Sequence, residues 1–183
     1  MKELSLNVLD IAENSVKAGA EHVSILLDQV GNQLTVSITD DGCGMSPEFL
    51  AAVTDPFTTT RTTRKVGMGI PLFKLAAEQT GGTLNIVSRE QKEGDPEHGT
   101  TISAVFYTDH LDCEPIGDMT STVITLIQGN PDLSITFTHR VDGAEKRLST
   151  DEMREMLGEE VPLNDPAVLG WVREYLNEPM EET

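Results

Sequence analysis

The hydrophobic positions of this chain change period several times. Leu4, Leu6, Val8, Leu9, Ile11, Ala12 and Val16 recur at mostly helical spacing and Gly19 supplies a stop, which predicts a helix over about residues 4–18. The period then drops to two. Val23, Ile25 and Leu27 alternate within Glu21–Gln29, and Leu34, Val36 and Ile38 alternate within Gln33–Thr39. Two strands follow, joined as a hairpin by Gly31-Asn32. Ser46-Pro47-Glu48 reads as an N-cap with proline at the first helical position, opening a short helix to about Thr54. Ile70, Leu72, Phe73, Leu75, Ala76 and Ala77 form the buried side of a helix from Met68 to Thr80, ended by Gly81-Gly82. Thr83–Ser88 and Gly99–Tyr107 read as strands on either side of a polar connection, Arg89–His98.

Beyond residue 108 the pattern is shorter-ranged. Asp118 caps a helix through about Gln128, ended by Gly129-Asn130-Pro131, although the β-branched run Thr122–Ile127 also suits a strand. Leu133–Arg140 alternates as a strand, Asp142-Gly143 signals a hairpin, and Ala144–Leu148 returns. Thr150, Met153 and Leu157 begin a helix, and Asp165–Leu176 makes another with Trp171 and Tyr175 on one side, a pair that could anchor a partner but is expected to complete a small core. Pro179 to Thr183 reads as a frayed acidic end.

At 183 residues there is room for one full domain and a small appendix. A net charge of −18 argues against nucleic acid and anionic membrane surfaces as partners. The two cysteines, Cys43 and Cys113, are too few and too scattered for a disulfide framework or a zinc site, which fits a reducing cytoplasm. No apolar run approaches membrane-spanning length.

Chemistry concentrates at three places. Asp40-Asp41-Gly42-Cys43-Gly44-Met45 ends the second strand, and its glycines let a ligand approach the main chain while Asp40 accepts hydrogen bonds from an amino group. An ordinary strand-ending turn has the same composition. Asp10, Asn14 and Lys17 share one face of the first helix, a set suited to a metal-bound phosphate chain or simply to solvent. Thr58-Thr59-Thr60-Arg61-Thr62-Thr63-Arg64-Lys65-Val66-Gly67-Met68-Gly69 reads as a loop whose cations and final glycines, at a helix N-terminus, suit anionic phosphates. Cys43 is expected to be a small buried side chain, and His22, His98, His110 and His139 ordinary surface or partly buried histidines.

Read together, these segments resemble the Bergerat-fold (GHKL) ATP-binding domain of type II topoisomerases, Hsp90 chaperones, MutL repair proteins and histidine kinases. Asp10-Ile11-Ala12-Glu13-Asn14-Ser15-Val16-Lys17-Ala18-Gly19-Ala20 looks like its N box, Asp40-x-Gly42-x-Gly44 its first glycine box, Pro56-Phe57-Thr58-Thr59 a histidine-kinase lid sequence, and Gly67-Met68-Gly69-Ile70 its second glycine box. Gly81-Gly82-Thr83 and Gly99-Thr100 resemble the closing strands. The resemblance implies an α+β, two-layer α/β sandwich with a mixed, mostly antiparallel sheet and helices on one face over residues 1–108, with a small C-terminal α+β appendix over 109–183.

It also implies roles. Asp40 would take the adenine amino group with help from Thr100, and Gly42, Gly44 and Met45 would border the base. Asn14 would hold Mg2+, Lys17 would contact phosphate, and Gly67, Met68 and Gly69 would cradle phosphates under a lid of about residues 55–66 that includes Thr58, Thr59, Arg61 and Lys65. Asp10 stands where hydrolysing members carry glutamate, so slow hydrolysis is expected. The N box opens the chain, so an upstream phosphoacceptor hairpin of a complete histidine kinase is not expected, nor is a transducer domain. Three functions remain: a slow ATPase whose nucleotide-ordered lid regulates a protein partner, a protein kinase acting in trans on an unidentified phosphoacceptor, and a non-catalytic nucleotide-gated binding module. ATP or ADP with Mg2+ is the expected ligand in each, and a homodimer stays open.

Overall fold

The computed structural model describes residues 3–53 and 69–182. Helix α1 (Leu4–Lys17) buries Leu4, Val8, Ile11, Ala12 and Ser15 on one stripe. Glu3 makes no side-chain cap; instead the N–H groups of Leu4 and Ser5 donate to the carbonyls of Pro115 (2.9 Å) and Ile116 (2.8 Å). A later segment thus satisfies donors that the helix start leaves open. Strands β1 (His22–Val30) and β2 (Gln33–Asp40) form the expected hairpin, each burying every second residue. The short helix α2 (Pro47–Val53), helix α3 (Gly69–Glu78) and strands β3 (Thr83–Arg89) and β4 (Gly99–Tyr107) complete the first part. The Phe73 ring of α3 packs on Phe106 of β4, with centroids 5.4 Å apart.

Helix α4 (Met119–Gly129) starts at the Asp118 cap, and the helical alternative for residues 122–127 is the one adopted. Strands β5 (Ser134–Val141) and β6 (Ala144–Ser149) follow, turning through Asp142 and Gly143 at positive φ. Helices α5 (Thr150–Leu157) and α6 (Pro166–Asn177) and a two-residue strand β7 (Glu181–Glu182) end the described chain. The strand β7 pairs with the start of β6, so residues 181 and 182 have backbone partners where a frayed end was expected; the free edge of β6 offers them.

All seven strands belong to one sheet in the order β3-β4-β2-β1-β5-β6-β7. Every pairing is antiparallel except β1 with β5. The sheet is therefore mixed and mostly antiparallel. One face meets the helices, and Val23, Ile25, Leu27, Leu34, Val36, Ile38, Ile102, Ala104 and Phe106 join α1, α3 and α4 in a single buried cluster. The opposite face carries Ser24, Thr35, Ser37, Thr39, Thr101 and Ser103, with Ser37 and Ser103 hydroxyls 3.0 Å apart. A solvated polar face on an antiparallel sheet produces this two-layer α+β sandwich. The tail does not form a sheet of its own, because β5 continues the first one alongside β1. Among the described residues no helix is long and apolar enough to cross a membrane.

Candidate functional site

The site lies where β2 leaves the sheet. Antiparallel pairing on both sides sets Asp40 opposite Val23 of β1 and Thr100 of β4. The half-buried Asp40 carboxylate is fixed by both oxygens. Oδ2 accepts from the Ser15 hydroxyl at 2.6 Å, and Oδ1 accepts from the Gly42 N–H at 2.9 Å. Each oxygen keeps a further lone pair. Asp40 borders a cavity of about 480 Å³ whose lining also includes Asn14, Lys17, Gly44, Met45 and Thr100, with Ile11, Phe49, Ile70 and Ile102 as apolar walls. A polar anchor in a largely apolar recess of this size suits a flat heteroaromatic base.

The loop after Asp40 is braced on three sides. The Cys43 N–H donates to Ala18 at the end of α1 (2.9 Å), and the Gln91 N–H donates to the Cys43 carbonyl (2.7 Å). His98 Nδ1 lies 2.6 Å from the Gly42 carbonyl; a carbonyl only accepts, so this ring nitrogen donates. The Met45 N–H donates to the Ser88 hydroxyl at 2.8 Å, and Ser88 Oγ lies 2.8 Å from Thr100 Oγ1. Gly44 has φ +70°, and a Cβ there would overlap the Arg89 carbonyl. The second carboxylate, Asp41, turns outward and accepts from the N–H groups of Glu21 (2.8 Å) and His22 (2.9 Å) and pairs with His22 Nδ1 (2.8 Å). Burial alone would raise its pKa, but the His22 and Glu21 hydrogen bonds together hold it below the ordinary 3.8.

Helix α1 delivers the polar stripe. Asn14 and Lys17 border the cavity, whereas Asp10 is exposed one turn earlier, outside its lining. Gly69 opens α3 against both Asp10 and Asn14: a Cβ on Gly69 would stand 3.4 Å from Asp10 Cβ and 3.9 Å from Asn14 Nδ2. The start of α3, with its N–H groups and dipole, thus adjoins the stripe. Thr58, Thr59, Arg61, Lys65, Gly67 and Met68, with the expected lid over residues 55–66, lie outside the described residues. Among the described residues no group of three or more His, Cys, Asp or Glu is placed to hold a metal ion. A larger recess of about 790 Å³, walled mostly by residues 90–96, lies beyond Cys43 and Gly44 and does not include Asp40.

Cys43 corrects one expectation. It is exposed and directly precedes Gly44, whose φ of +70° turns the loop. Three working residues were not singled out from sequence: Ser15, Ser88 and His98. Ser15 and Ser88 carried a signal, each being a polar residue in the inward phase of an apolar pattern (Leu4, Val8, Ile11, Ser15 and Leu84, Ile86, Ser88). His98 had none, because its partner is a backbone carbonyl far away in sequence.

Residues 2–110 match the family described as histidine kinase-, DNA gyrase B-, and HSP90-like ATPase. The chain is 30% identical over 87 residues to the sensor histidine kinase ZraS of Escherichia coli (strain K12), covering 46% of this chain and 18% of that protein. It is 31% identical over 120 residues to the non-motile and phage-resistance protein of Caulobacter vibrioides, covering 61% of this chain and 14% of that one. Among solved structures, a mycobacterial sensor histidine kinase, MprB, is similar at 26% identity with a TM-score of 0.42, over 55% of this chain and 67% of that one. The chain thus spans less than a fifth of the length of these two curated relatives.

Proposed function

Since the chain belongs to the histidine kinase-, DNA gyrase B- and HSP90-like ATPases, we propose that it is a magnesium-dependent ATP-binding protein and slow ATPase whose nucleotide state regulates a protein partner. The observation that carries the reading is the Asp40 carboxylate, fixed through Ser15 and Gly42 at the edge of a 480 Å³ cavity, with Asn14 and Lys17 on the same wall. The remaining lone pairs of Asp40 suit the exocyclic amino group of adenine, with Thr100 beside it. Lys17 and the first N–H groups of α3 suit the phosphates. Asn14 would hold magnesium, an oxygen-seeking ion that usually keeps several waters and leans on substrate phosphate, so one protein ligand fits it. Magnesium there would neutralise charge developing on the phosphate oxygens.

Asp10 is the residue that would make the protein a hydrolase. Its carboxylate would orient a water and take its proton as the water oxygen bonds to the γ-phosphorus and the bond to the ADP oxygen breaks. Aspartate is one methylene shorter than glutamate and reaches less far, which supports slow turnover.

The test follows the γ-phosphate of labelled ATP with magnesium on wild type and Asp10→Asn. The expected outcome is slow release of free phosphate that Asp10→Asn lowers by at least about a hundredfold with ADP affinity unchanged. Label transferred to a protein in added lysate would make this a kinase instead, and ATP intact in every tube would leave a nucleotide-gated binding module. Asp40→Ala that still binds ATP at wild-type affinity would remove the assigned pocket.

A further inference from the structure

The second half of the chain holds a recess unrelated to the nucleotide site. Between α5 and α6 lies a cavity of about 410 Å³, bordered by Met153, Met156, Leu157, Val161, Val168 and Trp171. Its one charged lining residue, Asp165, already caps α6 by accepting the Ala167 N–H at 2.9 Å. The apolar groups are unusually open to solvent: Met156 is 85% exposed, Trp171 49% and Leu157 40%. Trp171 does not complete a core, as its sequence pattern suggested. It stacks flat on Tyr175, with centroids 5.2 Å apart and planes 6° apart. The Tyr175 hydroxyl donates to the Arg147 carbonyl at 2.7 Å, so the indole rests on a fixed base. Rigid aromatics beside adaptable methionines are the mixture found at surfaces that accept apolar side chains from a partner.

Charge selects the partner. Residues 150–178 carry eight acidic residues against Arg154 and Arg173. Glu159 and Glu160 sit in the loop between Leu157 and Val161, and Glu174 lies one turn after Trp171; Glu152, one turn before Met156, is already paired with Arg147 at 3.0 Å and adds no free charge to the rim. Arg154 is committed to Asp151 and to the carbonyls of Pro131 and Leu133, each at 2.8 Å. Arg173 is not among the residues that border the recess. An open apolar groove with an acidic rim is complementary to an amphipathic helix whose polar face is basic. We propose that the groove between α5 and α6 docks a basic amphipathic helix of a partner protein, with its apolar side chains seated against Met156, Leu157 and Trp171. This deepens the partner clause of the reading above, while the groove itself makes no use of ATP.

Trp171 is the only tryptophan, so its emission reports the groove directly. The probe is a synthetic leucine–lysine peptide with helical periodicity, titrated into the full chain without nucleotide; the control is the same composition in scrambled order. The expected result is a saturable blue shift of Trp171 emission with the patterned peptide only, weakened several-fold between about 0.05 and 0.5 M salt. Met156→Glu and Leu157→Glu, both at exposed positions, should each weaken it at least about tenfold with an unchanged melting temperature. No shift, equal response to the scrambled peptide, or indifference to both substitutions overturns the proposal. So does sedimentation showing that the free protein self-associates and that Leu157→Glu separates it, since the groove would then hold a second copy. ADP affinity, measured separately, fails or succeeds independently.

Discussion

Ser15→Ala removes one hydroxyl from the frame around Asp40. The Ser15 side chain is buried, and its Oγ lies 2.6 Å from Asp40 Oδ2. A hydrogen bond to an ionised acceptor contributes about 1.5–3 kcal/mol. The lower figure applies here, because Asp40 is half-buried and keeps the Gly42 N–H on its other oxygen. Stability should fall by about 1.5 kcal/mol, or about 3–6 °C in melting temperature for a chain of this size. Affinity tests a different point. In wild type the carboxylate is already oriented; in Ser15→Ala it must be ordered when a base arrives, at about 1 kcal/mol, which corresponds to about fivefold weaker binding. Calorimetric titration with ADP reads the second number and a thermal melt the first. If the melt drops while the dissociation constant stays within about twofold of wild type, the hydroxyl only buttresses α1 and the preorganisation argument is refuted.

Gly44→Ala should cost about 3 kcal/mol or more and abolish ADP binding, since a Cβ there meets the Arg89 carbonyl. Gly81→Ala, with similar positive φ but open space around it, should cost only about 1 kcal/mol; equal losses in the two melts would show that the contact with Arg89 is not the cause. His139 is pushed below its ordinary 6.5 by burial, and among the described residues its Nε2 has no hydrogen-bond partner. Its unfolded form therefore binds a proton more readily, and stability should fall as pH drops through 6.5 and level off below the folded pKa. His139→Gln should flatten that part of a melting-temperature profile; an unchanged slope would assign the effect elsewhere.

The elements were legible wherever one period ran uninterrupted. The Leu4, Val8, Ile11 and Ala12 stripe of α1, the alternation of β1 and β2, and the Asp118 cap could be read, because each is set by neighbours within a turn, whereas Leu6, read as part of the same stripe, is half exposed. Pairing across the chain was not. Nothing local in Leu133–Arg140 says that it will lie parallel to β1, and the two residues of β7 become a strand only because β6 presents an edge. The site divides the same way. That Asp40, Asn14 and Thr100 would border one cavity could be expected from motif order, while His98 on the Gly42 carbonyl depends on where a loop returns. Cys43, expected to be buried, is exposed beside the turn at Gly44.

The parallel pairing of β1 with β5 has a consequence for how the chain is made. Residues 22–29 meet β2 through a two-residue turn but meet residues 134–141 only after the whole nucleotide region has been threaded between them. During synthesis the N-terminal half can close its hairpin and glycine loop early, while β1 keeps one row of backbone groups open. Pro115 and Ile116, which satisfy the first donors of α1, also arrive late. The binding face and its final brace are thus separated in time, and a nascent chain stalled between β4 and β5 would expose a sticky edge that the finished protein covers.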